Sequence, residues 1–321
     1  MNSLLKANEI VLKKYAYDDE FYPMYVLAIF GLLKKYPNEE ELIEEVFLKT
    51  DIYIENDSIS KILENHNISC FDYSSDEEMG DNTIYGISSH NHNIIMSDDG
   101  SFSFQEELPF LVCSLKECNP SILLNTFVHE LLHLVKGYKN SFSYQNKGED
   151  FSYSIRCGIA VFDYEYVKSE DTLSSLEYFD TLDEAINVIN TTEVIEEIMA
   201  IKDIITDNKL LNFINLLDES IINKDSGYEE AVLIIRPLWN IKFFQELIDN
   251  NIIDGNTFQI VEEFDSLTFP GAFEELAELI DKIDELSCIS TRNKQLIEYK
   301  ARVNEIIKSI DYKEKVKCSY K

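Results

Sequence analysis

Basic side chains are scarce in this chain: 28 lysines and arginines face 60 aspartates and glutamates, a formal net charge of −32. That scarcity argues against nucleic acid as a partner, because phosphate binding needs clustered Lys and Arg, and it disfavours anionic membrane surfaces on the same ground. An acidic surface suits basic peptides or proteins, and otherwise serves as a solvated face. Ten glycines and six prolines are too few for a collagen-like or low-complexity chain, and no internal period suggests a solenoid. The longest apolar run, Met24 to Leu33, falls far short of the roughly 20 residues that span a bilayer. It reads as a buried helix ending at Lys34 and Lys35. The first twenty residues lack an apolar core and a small-residue cleavage site, so the expectation is a cytoplasmic protein with no membrane segment. Cys70, Cys113, Cys118, Cys157, Cys288 and Cys318 contain no C-x-x-C pair, which excludes a zinc ribbon and a C-x-x-C redox site and leaves them as small hydrophobes. Only five histidines occur, and none follows His133.

What is present is a chain with 45% hydrophobic and 12% aromatic residues, enough to bury a sizeable core. Residues 1–75 carry mainly helical patterning, with EEELIEEVFLK the clearest amphipathic stretch, before a polar, acidic break at Ser74 to Asp81. The central region, 76–205, opens with short strand-like segments at Thr83 to Ser88, Asn93 to Ser97 and Ser101 to Gln105. A strong helix follows, bracketed by Asn119 as N-cap, Pro120 at the first helical position and Gly137 as a stop. Asn140 to Asp150 then reads as a polar loop, Tyr153 to Tyr166 as one or two strands, and Leu182 to Ile205 as a second helix. Residues 206–321 are predominantly helical. The expected fold class is therefore α+β with a helical C-terminal part.

The strong helix contains NTFVHELLHLV, in which His129 and His133 are four residues apart. That spacing stacks two imidazoles on one helix face, one turn apart, where both can reach one ion. Glu130 beside them can take a proton from a metal-activated water without itself ligating. By chance H-E-x-x-H would arise in on the order of one such chain in a hundred. Its apolar flanks, Ile122, Leu123, Phe127, Leu131, Leu134 and Val135, make three polar side chains costly there without a purpose.

On these residues the chain resembles the zincin metallopeptidases. The resemblance implies a small β-sheet packed on an HExxH active-site helix, one Zn2+ per chain held by His129 and His133, Glu130 as general base, and hydrolysis of a peptide or protein substrate. His133 is followed by Leu-Val-Lys-Gly-Tyr-Lys rather than the metzincin H-x-x-G-x-x-H continuation, and the absence of later histidines points to the gluzincin branch, whose third ligand is a glutamate from a second helix. The matching residue is Glu184, in YFDTLDEAINVIN. Two departures stand out: fifty residues separate His133 from Glu184, and Val188 occupies the position where thermolysin-like members carry an aspartate that buttresses a histidine. Asn187 is a substitute for that buttress. Thr181-x-x-Glu184 has a second reading as a capping box, in which the glutamate only reaches back to the helix start. Glu193, Glu196 and Glu197 are fallback ligands or a solvated face.

Zincins also use a Tyr, His or Arg to hold the oxyanion. The resemblance assigns that role to Tyr178, with Arg236 as another candidate among four arginines, the others being Arg156, Arg292 and Arg302. The strand around Arg156 and Gly158 offers itself as an edge on which an extended peptide adds. His90 and His92 read as a polar turn and His66 as a loop residue. The competing functional expectation is a non-catalytic binding or regulatory protein on a zincin scaffold.

Overall fold

The computed structural model describes residues 2–68, 85–90, 92–96, 102–106, 108–116, 118–139, 142–147, 150–170, 172–218, 228–289 and 294–319. The expected acidic break at Ser74 to Asp81 lies outside them, as do Cys70 and Arg292. Mixed helices and small sheets make the chain α+β. It forms two compact units, each assembled from two stretches: Met1–Val135 with Asn190–Lys224, and Lys136–Ile189 with Asp225–Lys321.

The first unit begins with helices α1 (Asn2–Leu12), α2 (Tyr22–Lys35) and α3 (Glu40–Lys49). In α2 every residue from Tyr22 to Leu33 is buried, as expected of an apolar run that ends in two lysines. Strand β1 (Asp51–Glu55) and helix α4 (Ile59–Asn65) follow. The strand is an exception within a region read as mainly helical: D-I-Y-I-E alternates with period two, and Tyr53 packs on a cluster of Ile59, Ile62, Leu63, Phe110 and Val112. Strands β2 (Gly86–Ser89), β3 (His92–Met96), β4 (Phe102–Glu106) and β5 (Phe110–Ser114) come next. β5 is the centre of a three-stranded sheet ordered β1-β5-β2, parallel to β1 and antiparallel to β2. All five residues of β5 are buried, as a strand covered on both faces requires. Helix α5 (Pro120–Gly137) supplies much of the apolar surface, with Tyr25 set 5.4 Å from Phe127 and 5.9 Å from Phe47 between ring centroids.

The second unit holds a four-stranded antiparallel meander: β6 (Phe142–Lys147), β7 (Asp150–Cys157), β8 (Ala160–Val167) and β9 (Thr172–Tyr178). The segment read as a polar loop is thus largely strand β6, whose F-S-Y-Q-N-K alternation pairs residue by residue with β7. Aromatic pairs across the strands, Phe151 with Tyr166 and Tyr153 with Tyr164, stack at 5.0 and 4.6 Å. β7 is flanked by β6 and β8, and β6 pairs with it as far as Ile155, so most of the strand expected to capture an extended peptide is already paired on both sides. Helix α6 (Asp180–Ala200) follows β9, then α7 (Asn208–Asn215) in the first unit. Helices α8 (Glu229–Trp239), α9 (Lys242–Ile252), α10 (Thr257–Leu267), α11 (Ala272–Ile289) and α12 (Lys294–Ser319) complete the second. Phe244, Phe264 and Phe273 form its fully buried aromatic centre. Helices α5 and α6 are each continuous through the division between the units.

Candidate metal centre

Helix α5 starts where its local chemistry dictates. Asn119 Oδ1 accepts from the amides of Ser121 at 2.9 Å and Ile122 at 3.0 Å, satisfying two of the donors a helix start leaves open. Nine residues further on, the Nε2 atoms of His129 and His133 face one another at 3.1 Å. Two zinc–nitrogen bonds of about 2.0–2.1 Å at a tetrahedral angle put the nitrogens roughly 3.4 Å apart, so the observed spacing is close to that of a chelating pair. His133 is buried and His129 half-buried.

Glu130 is held from strand β2. Ser88 Oγ lies 2.8 Å from Glu130 Oε2 and 3.0 Å from the Glu130 carbonyl oxygen. Gly86, two residues earlier on the same strand face, lets β2 approach the helix closely. A Cβ at Gly86 would sit 2.3 Å from Thr126 Cγ2 and 3.0 Å from Glu130 Cγ, one turn apart on α5. Sequence reading placed a strand here but gave Gly86 and Ser88 no role; their signal is the pair of small residues in G-I-S, which mean something only once the strand is known to cross a helix. Among the described residues β2 pairs only with β5. His90 contributes its Nε2 to the carbonyl oxygen of Leu134 at 2.9 Å, a structural hydrogen bond. His66 contacts Glu55 at 2.5 Å.

Glu184 lies in the first turns of α6. Phe179, in the left-handed region at φ 65°, has its carbonyl accepting from the Asp183 amide at 2.8 Å, which makes Phe179 the residue that opens the helix. Thr181 is therefore inside the helix rather than at its cap, and the capping-box reading of Glu184 falls. The preceding residue is fixed as firmly: Asp183 Oδ1 accepts from the Ile159 amide at 2.8 Å, and Gly158, at φ 61°, lies so close that a Cβ would meet Asp183 Oδ1 at 2.2 Å. The β7–β8 turn thus pins the start of α6. One turn past Glu184, Asn187 Oδ1 accepts from Lys136 Nζ at 2.8 Å, both residues being fully buried. The Asn187 oxygen is thereby engaged by a buried ammonium. Of the fallback ligands, Glu193 pairs with Lys35 and Glu197 with Lys34, while Glu196 is exposed.

His129 and His133 belong to the first unit, and Glu184, like Asp183 and Cys157, to the second. A neutral imidazole pair with a carboxylate is a donor set suited to zinc. Tyr178, the last residue of β9, is 42% exposed and forms no hydrogen bond among the described residues. Arg236 lies on α8. Burial pushes the Cys118 thiol up to about 11 and raises that of Cys113 further, so neither is a thiolate nucleophile near neutral pH. No helix is long and apolar enough to cross a membrane among the described residues. No protein-family model, curated protein or solved structure matches the chain.

Proposed function

We propose that this protein is a zinc-dependent peptidase of zincin-like, gluzincin-type architecture, acting on peptide or protein substrates. The observation that carries the reading is the 3.1 Å approach of two imidazole Nε2 atoms beside a carboxylate that the neighbouring strand holds in place. His129, His133 and Glu184 would hold the ion. A zinc ion bound there supplies Lewis acidity, acidifying water and polarising a carbonyl group.

The protein's own groups do the rest. Glu130 takes the proton of the attacking water and passes it to the departing amine, a general base that becomes a general acid within one turnover. Ser88 fixes the Glu130 carboxylate so that little reorganisation precedes proton transfer. The edge of β2 next to Glu130, which has no second partner strand among the described residues, would offer backbone donors and acceptors to an extended peptide laid along it.

Two measurements on purified protein test this. Metal analysis should find one zinc per chain in the wild type and in Glu130→Gln. Digestion of a peptide library should give chelator-sensitive cleavage by the wild type only. A Glu130→Gln protein as active as wild type would eliminate the mechanism, and a wild type that retains zinc but never cleaves would favour a binding or regulatory role.

A further inference from the structure

Arginine is rare here, and three of the four arginines lie among the described residues. Arg302 grips Glu275 with two hydrogen bonds of 2.6 and 3.0 Å and reaches Glu305 at 2.9 Å. Arg236 is also engaged. Arg156 is the exception: among the described residues it makes no hydrogen bond and no ion pair, although the chain offers more than two carboxylates for every basic group.

Its surroundings make this unusual. The side chain is half-buried, and burial with nothing to offset it lowers the guanidinium pKa from its ordinary value. Gly255, at φ 61°, gives it room: a Cβ there would stand 3.1 Å from Arg156 Cδ and 3.2 Å from a terminal nitrogen. Asp254, the acid next to that glycine, is held instead by Lys139 at 2.9 Å. Directly across the strands, Arg156 faces Val161 and Val161 faces Tyr178, so the three share one face of the sheet with the exposed Tyr178 ring. Two residues beyond Arg156 is the turn that pins Asp183, adjacent to Glu184.

A partly desolvated cation without a counter-ion is costly, whereas a carboxylate docked on the planar guanidinium returns two charge-assisted hydrogen bonds. We propose that Arg156 is the anchor for a carboxylate group of the ligand, with Tyr178, two strands away on the same sheet face, as an apolar platform for the rest of it. The ligand's being a peptide rests on the peptidase reading; the anion site itself does not. A peptide can present this group as its terminal α-carboxylate or as an acidic side chain. On a chain with net charge −32, such a local cation would select one anionic position in an otherwise neutral or basic peptide.

Four arginines allow a direct test. In a 15N-labelled full-length protein the arginine Nε–Hε correlations number four, and Arg156→Lys identifies the one in question while the remaining three report that the fold is kept. N-acetylglycine presents an α-carboxylate, acetyl-aspartyl-methylamide a side-chain carboxylate, and N-acetylglycinamide neither. The expected result is a saturable shift of the Arg156 signal alone, half-complete at roughly 1–10 mM, with at least one acid and none with the neutral amide. The acid that saturates at the lower concentration identifies the source. The proposal is overturned if the neutral amide produces the same shift, if all arginine signals move together without saturating, or if the Arg156 signal does not move. None of these outcomes depends on zinc or turnover, so the anion site and the peptidase reading stand or fall separately.

Discussion

The hydroxyl of Ser88 stands between two oxygens of one residue, 2.8 Å from the Glu130 carboxylate and 3.0 Å from its backbone carbonyl. A single proton cannot serve both fully, but the fork fixes the χ angles of Glu130 from a strand whose neighbouring Gly86 admits the helix. Ser88→Ala should therefore lower kcat by about tenfold and leave KM nearly unchanged, since orientation of the base is lost and substrate binding is not. Ser88→Thr keeps the hydroxyl and should retain most of the rate. Steady-state kinetics on the peptide found by library digestion would decide; an unaltered kcat in Ser88→Ala removes Ser88 from the mechanism.

Glu184 and Glu193 lie on the same helix with different expected fates. Glu184→Gln should weaken zinc binding at least about 100-fold in chelator competition, because a neutral amide is a poor ligand for the ion. Glu193→Gln, which gives up an ion pair with Lys35, should bind zinc like the wild type. Equal zinc affinity in the two variants would remove Glu184 from the ligand set.

Lys136 and Asn187 form a polar pair with no solvent exposure. Asn187→Ala should cost about 3 kcal/mol in urea unfolding, since it removes a partner of a buried ammonium. Lys136→Met combined with Asn187→Leu should recover much of that loss, so the double variant will be more stable than the sum of the single effects requires. Additive losses would show that the two do not depend on each other.

Alkaline pH tests the packing around α2. Burial pushes Tyr15 up to about 12, against 10.0 for a free tyrosine. Its neutral form is thus favoured by folding, so its contribution is fully present below pH 10 and is lost as pH rises from 10 towards 12. In Tyr15→Phe the fall of stability across that window should be shallower than in the wild type. Urea titrations at pH 9, 10 and 11 measure the difference, and parallel profiles would contradict it.

Legibility followed the range of the interactions. The ends of α5 were readable because Asn119, Pro120 and Gly137 act on their own few neighbours, and the histidine spacing needs only a helix to have meaning. Glu184 was recognisable as a residue type at a helix start, yet what excludes its capping role is the left-handed Phe179, a conformation no phenylalanine advertises. β1 and β6 were missed because their alternation is brief and half polar, and pairing partners, rather than composition, make them strands. Arg156 was legible as part of a strand, but not as an unpaired cation. Its lack of an acidic partner is a property of three-dimensional neighbours, as is the crossing of β2 over α5 at Gly86.

The two interleaved stretches of each unit also set a timetable. As the chain leaves the ribosome, Val135 emerges well before Asn190, and the first unit cannot be finished until the second has delivered its whole meander. At about 5–20 residues per second this is a wait of roughly 3–10 seconds. During it the apolar flank of α2 around Gly31, against which Val194 and Ile198 will later close, stays uncovered. The nascent chain thus passes through an interval in which its most hydrophobic helix is a natural client for a chaperone.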